Sequence, residues 1–419
     1  MSRFLVSAAH KSSGKTTVSI GLCAAFKGRG LAVQPFKKGP DYIDPMWLST
    51  ASGRACRNLD FFLQQPDEIE ELFLRHAACA DVSLVEGNKG LYDGLDLDGS
   101  NSNSALAELL GLPVVLVIDA RGMTRGIAPL ILGYQAFDRN INIAGVILNH
   151  LGGSRHESKL RAVIDHYTDV PVLGALGHDR SLAIEERHLG LMPSNESEQA
   201  ERHVAALAKA IAASVDMDGI LALRQAERSA APASATIKPV AKSKVKIAIA
   251  RDRAFGFYYA DDIEAMQAAG AEIIAFDTLH DNTLPQADGI FIGGGFPELS
   301  MRALEANAAL RRHIREAIES GLPVYAECGG LMYLANSLSW RGETCQMVGA
   351  IAGDVVMHDK PVGRGYVRLE ETGASPWHRS SDASEVKICA HEFHYSSIEN
   401  LSVETRYAYR VARGHGIDR

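Results

Sequence analysis

A chain of 419 residues exceeds one ordinary hydrophobic core and predicts two domains of roughly 150–230 residues each. The composition, 46% hydrophobic and 22% charged, is that of a soluble globular protein, and no apolar run approaches the roughly 20 residues that span a bilayer. A net charge of −8 argues against general nucleic-acid binding and leaves room for a local basic pocket around an acidic small molecule. The opening Met1-Ser2-Arg3-Phe4-Leu5-Val6 runs straight into a strand with no space for a signal peptide, so a cytoplasmic protein is expected. Cys23, Cys56, Cys79, Cys328, Cys345 and Cys389 form no C-x-x-C pair and no zinc spacing, as expected of reduced thiols.

In chain order, the strand Phe4 to Ala8 is followed by Ser7-Ala8-Ala9-His10-Lys11-Ser12-Ser13-Gly14-Lys15-Thr16-Thr17 and a helix over Val18 to Phe26. Gly14-Lys15-Thr16 matches the end of a phosphate-binding loop, in which backbone amides at a helix N-terminus cradle phosphates, lysine neutralises them and the threonine hydroxyl takes Mg2+. Ser13, Gly14, Lys15, Thr16 and Thr17 are therefore the expected ATP-binding residues, although Ala9 stands where the pattern begins with glycine. After a second strand, Lys37-Lys38-Gly39-Pro40-Asp41-Tyr42-Ile43-Asp44-Pro45 reads as a rigid acidic loop, and the strand Val82 to Glu86 runs into Gly87-Asn88-Lys89-Gly90-Leu91-Tyr92-Asp93-Gly94. Parallel strands deliver their C-terminal ends to one edge, so Asp41, Asp44, Glu86 and Asp93 are expected around magnesium and a reacting carboxylate, with Thr16, Asp41 and Glu86 as metal ligands. The alternative is that these aspartates, beside glycine and proline, only make turns. Lys37, Lys38, Arg54, Arg57, Lys89, Arg121 and Arg125 are candidates to hold an anionic substrate, against the reading that most are solvated.

Strands over Val114 to Asp119, Ala144 to Leu148 and Val170 to Ala175 complete an α/β pattern of parallel strands and crossover helices over residues 1–227. Residues 228–244, rich in Ser, Ala, Pro and Lys, read as a linker. A second α/β series over 245–419 opens with Val245 to Ala250, a helix over Ala260 to Ala269, and strands Glu272 to Phe276 and Gly289 to Ile292. It reaches the strand Leu322-Pro323-Val324-Tyr325-Ala326, then Cys328-Gly329-Gly330 and a helix from Leu331. A cysteine on such a turn is an exposed nucleophile; the helix N-terminus is expected to favour its thiolate, and the Gly329 amide to stabilise an oxyanion.

In sequence the chain resembles the cobyrinate a,c-diamide synthase family, glutamine-dependent amidotransferases of tetrapyrroles. The resemblance runs through Ser12 to Thr17, Lys38 to Pro45, Glu86 to Gly94, Gly293-Gly294-Gly295-Phe296-Pro297-Glu298, Tyr325 to Leu334 and His391-Glu392-Phe393-His394-Tyr395-Ser396. It implies an N-terminal domain like dethiobiotin synthetase, a C-terminal class I glutaminase domain, and L-glutamine, ATP and an anionic tetrapyrrole as substrates. ATP would convert a carboxylate to an acyl phosphate that ammonia then attacks. By motif, Lys15 and Thr16 would serve ATP and Mg2+, and Asp41, Ile43, Asp44, Glu86 and Asp93 would line the amidation centre. Cys328 would be the glutaminase nucleophile, with Gly294, Gly295 and Gly329 at the oxyanion and glutamine site. A homodimer is kept as an expectation; nucleic acid and membrane are not expected partners.

The chain departs from the family pattern in two places. Many relatives read Val-Met where Asn88-Lys89 stands, and threonine-alanine after the later Gly-Ser, where this chain has Gly99-Ser100-Asn101-Ser102-Asn103-Ser104. That variation is similar to a branch of sulfur-oxidising metabolism to which sirohaem amidation is ascribed, so sirohaem or a sirohydrochlorin is the alternative substrate. The family's activating histidine lies in a C-terminal Tyr-x-His-like segment, and the chain is expected to end before it. His391 and His394 are the substitutes, on opposite or alternate faces of a strand, with structural, substrate-contact or metal-binding roles as the other readings. A reading of another class is a ParA-like ATPase switch with an inactive glutaminase-like domain. A plain cysteine hydrolase is a third, and it leaves the phosphate loop unexplained.

Overall fold

A computed structural model describes residues 1–182, 184, 186–187, 190–196, 199–223, 225, 244–377 and 387–417. The chain forms two compact units, Met1–Thr236 and Ile237–Arg419. The expected linker, 228–244, lies outside the described residues in all but its last position.

The first unit is built on seven parallel strands: β1 (Ser2–Ala8), β2 (Val33–Lys38), β3 (Arg57–Leu59), β4 (Val82–Glu86), β5 (Val114–Asp119), β6 (Ile143–Leu151) and β7 (Val172–Gly177), in spatial order 3-2-4-1-5-6-7. Every residue of β4 and β5 is buried, because helices cover both faces and leave no polar side of the sheet. The crossovers are α1 (Lys15–Gly28), α2 (Ile43–Ser52), α3 (Pro66–Ala77), α4 (Asn103–Leu110), α5 (Ile127–Phe137) and α6 (Ser154–Tyr167). A two-stranded ribbon, β8 (Glu186–Arg187) and β9 (Gly190–Leu191), precedes α7 (Ala200–Ser214) and α8 (Met217–Leu221). α7 lies close against α1: a Cβ on Gly21 would stand 2.4 Å from the Ile211 side chain.

Local sequence explains where these helices start. α3 begins at Pro66, whose missing N–H is one the first turn leaves unbonded anyway, and the Glu68 carboxylate accepts from the Gln65 N–H at 2.7 Å. Its buried residues Ile69, Leu72, Phe73 and Ala77 follow helical spacing. The acidic segment expected as a loop contains the start of α2: Asp41 Oδ1 accepts from the N–H groups of Ile43 (2.9 Å) and Asp44 (3.0 Å), which puts Asp44 in the first helical turn. The strand expected from Val170 starts at Val172, after Pro171, and β6 runs past Leu148 to Leu151, carrying Asn149 and His150.

The second unit holds a parallel sheet of β10 (Val245–Ala250), β12 (Ala271–Phe276), β13 (Gly289–Ile292) and β15 (Val324–Ala326), in order 12-10-13-15. The short strand β11 (Phe255–Phe257) pairs antiparallel with β14 (Gly294–Gly295). Helices α9 (Ala260–Ala268), α10 (Met301–Ala306), α11 (Ala308–Glu319) and α12 (Gly329–Leu334) lie along this part of the chain. Two further sheets, unanticipated apart from the strand holding His391 and His394, fill the remainder. One is ordered β17 (Glu343–Gln346), β16 (Ala335–Trp340), β18 (Ile351–Met357), β21 (Ser396–Glu399), and the other β20 (Ile388–His394), β19 (Gly363–Glu371), β22 (Tyr409–Arg413). Among the described residues no helix is long and apolar enough to cross a membrane.

Phe36 and Phe73 meet with ring centroids 4.9 Å apart, both fully buried between β2 and α3. Phe73→Ala removes that contact and leaves a cavity, so it is expected to destabilise the first unit by about 3–5 kcal/mol. Denaturant unfolding of the whole chain measures this, and a loss below about 1 kcal/mol is incompatible with the packing described.

Candidate functional site

The C-terminal ends of β1, β2 and β4 bring the first set of predicted residues together. Gly14 caps α1 in the left-handed region (φ 83°), and a Cβ there would lie 2.1 Å from Asn149 Nδ2, so the turn requires glycine. Asn149 Nδ2 donates to the Ser13 carbonyl at 2.9 Å and pins the loop from β6. The loop enters at Ala9, whose carbonyl accepts from the Tyr134 hydroxyl and whose N–H donates to Val117 O at 3.2 Å. Those bonds do the anchoring where the usual pattern has glycine.

Glu86, wholly buried at the end of β4, is the centre of the cluster. Its Oε1 accepts from Thr16 Oγ1 at 2.6 Å, Lys15 Nζ at 3.0 Å and Lys37 Nζ at 3.2 Å. Lys37 Nζ also donates to Asp44 Oδ2 at 2.5 Å and stands 3.8 Å from Asp41 Oδ2, while Thr16 Oγ1 reaches Asp44 Oδ2 at 3.3 Å. Burial works against the Lys37 charge, but Asp44, Glu86 and Asp41 outweigh it and raise its pKa. Burial likewise opposes the Asp44 charge, and Lys37 and Lys15 overcome it to hold that carboxyl below its ordinary range. Asp41 moves the other way, pushed up to about 7 by burial and then by the charge of Asp44, against the pull of Lys37.

Glu86 Oε2 is buried with no hydrogen-bond partner. A carboxylate oxygen left bare beside the Thr16 hydroxyl, Asp44 and Asp41 is a set of hard oxygen donors suited to Mg2+, so the residues present fit that ion. Asp93 is placed differently from the other three carboxylates: its Oδ2 accepts from the Gly90 N–H at 2.9 Å and shapes the turn after β4. Sequence reasoning missed Asn149 and Tyr134. For Asn149 a signal exists, a polar residue closing the apolar run Val146-Ile147-Leu148; Tyr134 on its helix gives none.

In the second unit Cys328 sits between β15 and α12 with φ 46° and ψ −108°, a strained conformation for a non-glycine residue. Glycines make the turn possible: a Cβ on Gly330 would stand 2.2 Å from Ile292 O, one on Gly295 1.9 Å from Ala254 O, and one on Gly329 3.0 Å from Gly295 N. Tyr258 orders the facing loop, donating its hydroxyl to Ala250 O at 2.5 Å and accepting from the Gly293 N–H at 3.0 Å. The thiol is exposed, yet its protein surroundings first, and the charge of Glu298 next, push its pKa up to about 11. The amides of Gly329 and Gly295 both bond toward the sulfur and pull it down, without overcoming the rise. The helix that follows is only six residues long, and the pull of the two amides toward the thiolate is opposed by burial, Glu298 and Glu327.

His394 Nδ1 lies 2.8 Å from Ser396 O and Nε2 3.4 Å from Glu392 Oε2, so both ring nitrogens are engaged within its own strand region, and the His391 ring stands 6.2 Å from that of Tyr259. Among the described residues His391, Glu392 and His394 do not converge as a three-ligand metal group.

Comparison with known proteins joins the two halves. The CobQ/CobB/MinD/ParA nucleotide binding domain matches residues 5–191, and the CobB/CobQ-like glutamine amidotransferase domain matches residues 246–418. The cobyrinate a,c-diamide synthase of Magnetococcus marinus is 44% identical over 99% of this chain and 90% of its own length. Those of Methanosarcina acetivorans (40% identical; 99% and 88%) and Listeria innocua (41% identical; 95% and 88%) agree. The chain belongs to the cobyrinate a,c-diamide synthase family. Within that family its nucleotide-binding domain is the unit holding Lys15 and Glu86, and its amidotransferase domain is the unit holding Cys328.

Two outcomes are expected from this geometry. Gly14→Ala forces a Cβ into Asn149 and an unfavourable φ, and should weaken ATP binding at least about tenfold by calorimetry with the fold intact; unchanged affinity would mean that the loop is not where nucleotide binds. A thiol with pKa raised to about 11 is neutral below that pH, so in the free enzyme alkylation of Cys328 should keep accelerating above about pH 9, past the ordinary thiol value near 8.5. A rate plateau near or below pH 8.5 would reveal a base paired with the sulfur.

Proposed function

We propose that the chain amidates the a and c acetate carboxylates of cobyrinate, using ATP and L-glutamine, with residues 1–227 as the synthetase and 245–419 as the glutaminase. The observation that carries this reading is a buried carboxylate held by two lysines and a threonine beside a phosphate-type loop, in the same chain as a strained elbow cysteine. Cobyrinate is the substrate in the names of the similar proteins, and they give no support to sirohaem. A cytoplasmic location accords with a substrate set of ATP, glutamine and a tetrapyrrole.

At the glutaminase, the Cys328 sulfur, once deprotonated, attacks the side-chain amide carbon of glutamine. The oxyanion falls to the amides of Gly295 and Gly329, in the loop that Gly294 helps close; the C–N bond breaks and ammonia leaves with a proton. Water then hydrolyses the thioester to glutamate. With a free-thiol pKa raised to about 11, deprotonation depends on a base or on bound substrate.

At the synthetase, a substrate carboxylate is a poor electrophile until a leaving group is attached. Its oxygen attacks the γ-phosphorus of ATP, ADP departs, and ammonia displaces phosphate from the acyl carbon. Ser13, Gly14, Thr17 and the start of α1 cradle the phosphates, and Lys15 neutralises their charge. Thr16, Asp41 and Glu86 are the residues we assign to Mg2+, which when bound shields phosphate charge. Asp44 fixes Lys37 and Thr16, while Asp93 shapes the neighbouring turn.

Cys328→Ala should abolish glutamine-driven amidation and leave ammonia-driven amidation intact. Lys15→Ala and Glu86→Gln should abolish both while glutamate release persists. Product masses after incubation with ATP, Mg2+, ammonia and cobyrinate decide the matter; failure of the unaltered chain under those conditions overturns the reading, and full activity of Glu86→Gln overturns the placement of its centre.

A further inference from the structure

Most of the candidate basic side chains are already engaged. Lys15 and Lys37 belong to the Glu86 cluster, and Arg121 is paired with Asp119. Arg54 donates to Cys79 O at 2.6 Å, and Arg125 lies over the Tyr167 ring at 5.1 Å. Lys38 and Lys89 differ from these. Lys38 is only 7% exposed, and the contact of its ammonium is with Asn88 Oδ1 at 3.5 Å, the outer limit of a hydrogen bond. Neither lysine makes an ion pair among the described residues. Burial pushes the Lys38 ammonium down to about 8, with Asp60 opposing and Lys89 and Lys37 adding repulsion; Asp60 itself accepts from the N–H groups of Phe62 and Leu63.

The loop carrying Asn88 and Lys89 is rigidly held. Asn103, fully buried at the start of α4, donates through Nδ2 to the carbonyls of Asn88 and Gly90 (2.8 Å), and its Oδ1 accepts from the Asn88 N–H at 3.0 Å. A Cβ on Gly87 would stand 2.7 Å from that amide. Lys89 is fixed at φ 43°, exposed at the loop's tip. Lys37 and Lys38 are neighbours on β2: the first turns to Glu86, the second to the Asn88 loop, so this cationic place adjoins the reacting centre.

We propose that Lys38 and Lys89, set by the Asn103 clamp on loop 87–90, form a subsite for a substrate carboxylate other than the one being phosphorylated. A buried ammonium that makes no close ion pair is costly, and a polycarboxylate substrate supplies one on binding. The two lysines thereby select for substrates bearing a further carboxylate near the reacting arm. This subsite rests on the amidation reading above, and its test uses binding without turnover so that the two can fail separately.

Cobyrinate is titrated into the full chain without ATP, followed by absorbance of the macrocycle, for the unaltered protein, Lys38→Met, Lys89→Met and the double variant. The double variant is expected to bind at least about tenfold more weakly, with ATP affinity unchanged and the melting temperature of Lys38→Met not lowered. Methyl esterification of cobyrinate should weaken binding to the unaltered chain more than to the double variant, the mark of a coupled pair. Unchanged cobyrinate affinity, no cobyrinate binding by the unaltered chain, or a loss confined to ATP overturns the subsite. Tight cobyrinate binding that depends on both lysines, without ammonia-driven amidation, upholds the subsite and overturns the reaction.

Discussion

The first unit depends on one buried carboxylate. Glu86 lies fully inside the protein at the end of a strand whose five residues are all buried, and it stays there because two lysines and a threonine converge on one of its oxygens. Removing one partner of such a set leaves charge stranded in a low-dielectric interior, a loss of about 3–5 kcal/mol, so Lys15, Lys37 and Glu86 specify one another. The sheet order makes this meeting possible. Placing β4 between β2 and β1 brings Glu86 alongside Lys37 on one neighbour and the phosphate loop following the other.

The cluster also ties the starts of two helices to one frame. Lys15 and Thr16 open α1, and Asp44 sits in the first turn of α2; both helices start at the same sheet edge. Asp41 holds the first turn of α2 through its Oδ1 and faces Lys37 with its other oxygen, so a turn-making role and a place at the centre coexist in one side chain.

Much of this was legible in the sequence, and the failures have physical causes. The strands of the parallel sheets are continuous apolar runs, and the phosphate loop and elbow carry glycines that no other residue replaces without a clash, as Gly14 and Gly295 demonstrate. The segment after β2 reads as loop because Gly39 and Pro40 punctuate it, yet Asp41 holds the first turn of a helix that starts two residues on. The sheets after Leu334 gave little signal because their strands are only partly buried, so alternation is weak: β20, for example, has one exposed residue among six of intermediate burial. The electrostatics of Cys328 were illegible for another reason. A helix N-terminus can be read from glycines, whereas the surrounding burial and the approach of Glu298, thirty positions away in sequence, belong to tertiary structure.

At Cys328 two amides are directed at the sulfur of a strained cysteine: the amides favour negative charge, while burial and two glutamates oppose it. Under the proposed function, glutamine would bring a carbonyl whose developing oxyanion uses those amides. In the first unit Lys15 and Lys37 are paired within the cluster, where phosphate would compete for Lys15 under the proposed function, and Lys38 makes no ion pair among the described residues. Under the proposed function, each unit thus holds charge in a form that its own substrate would complete.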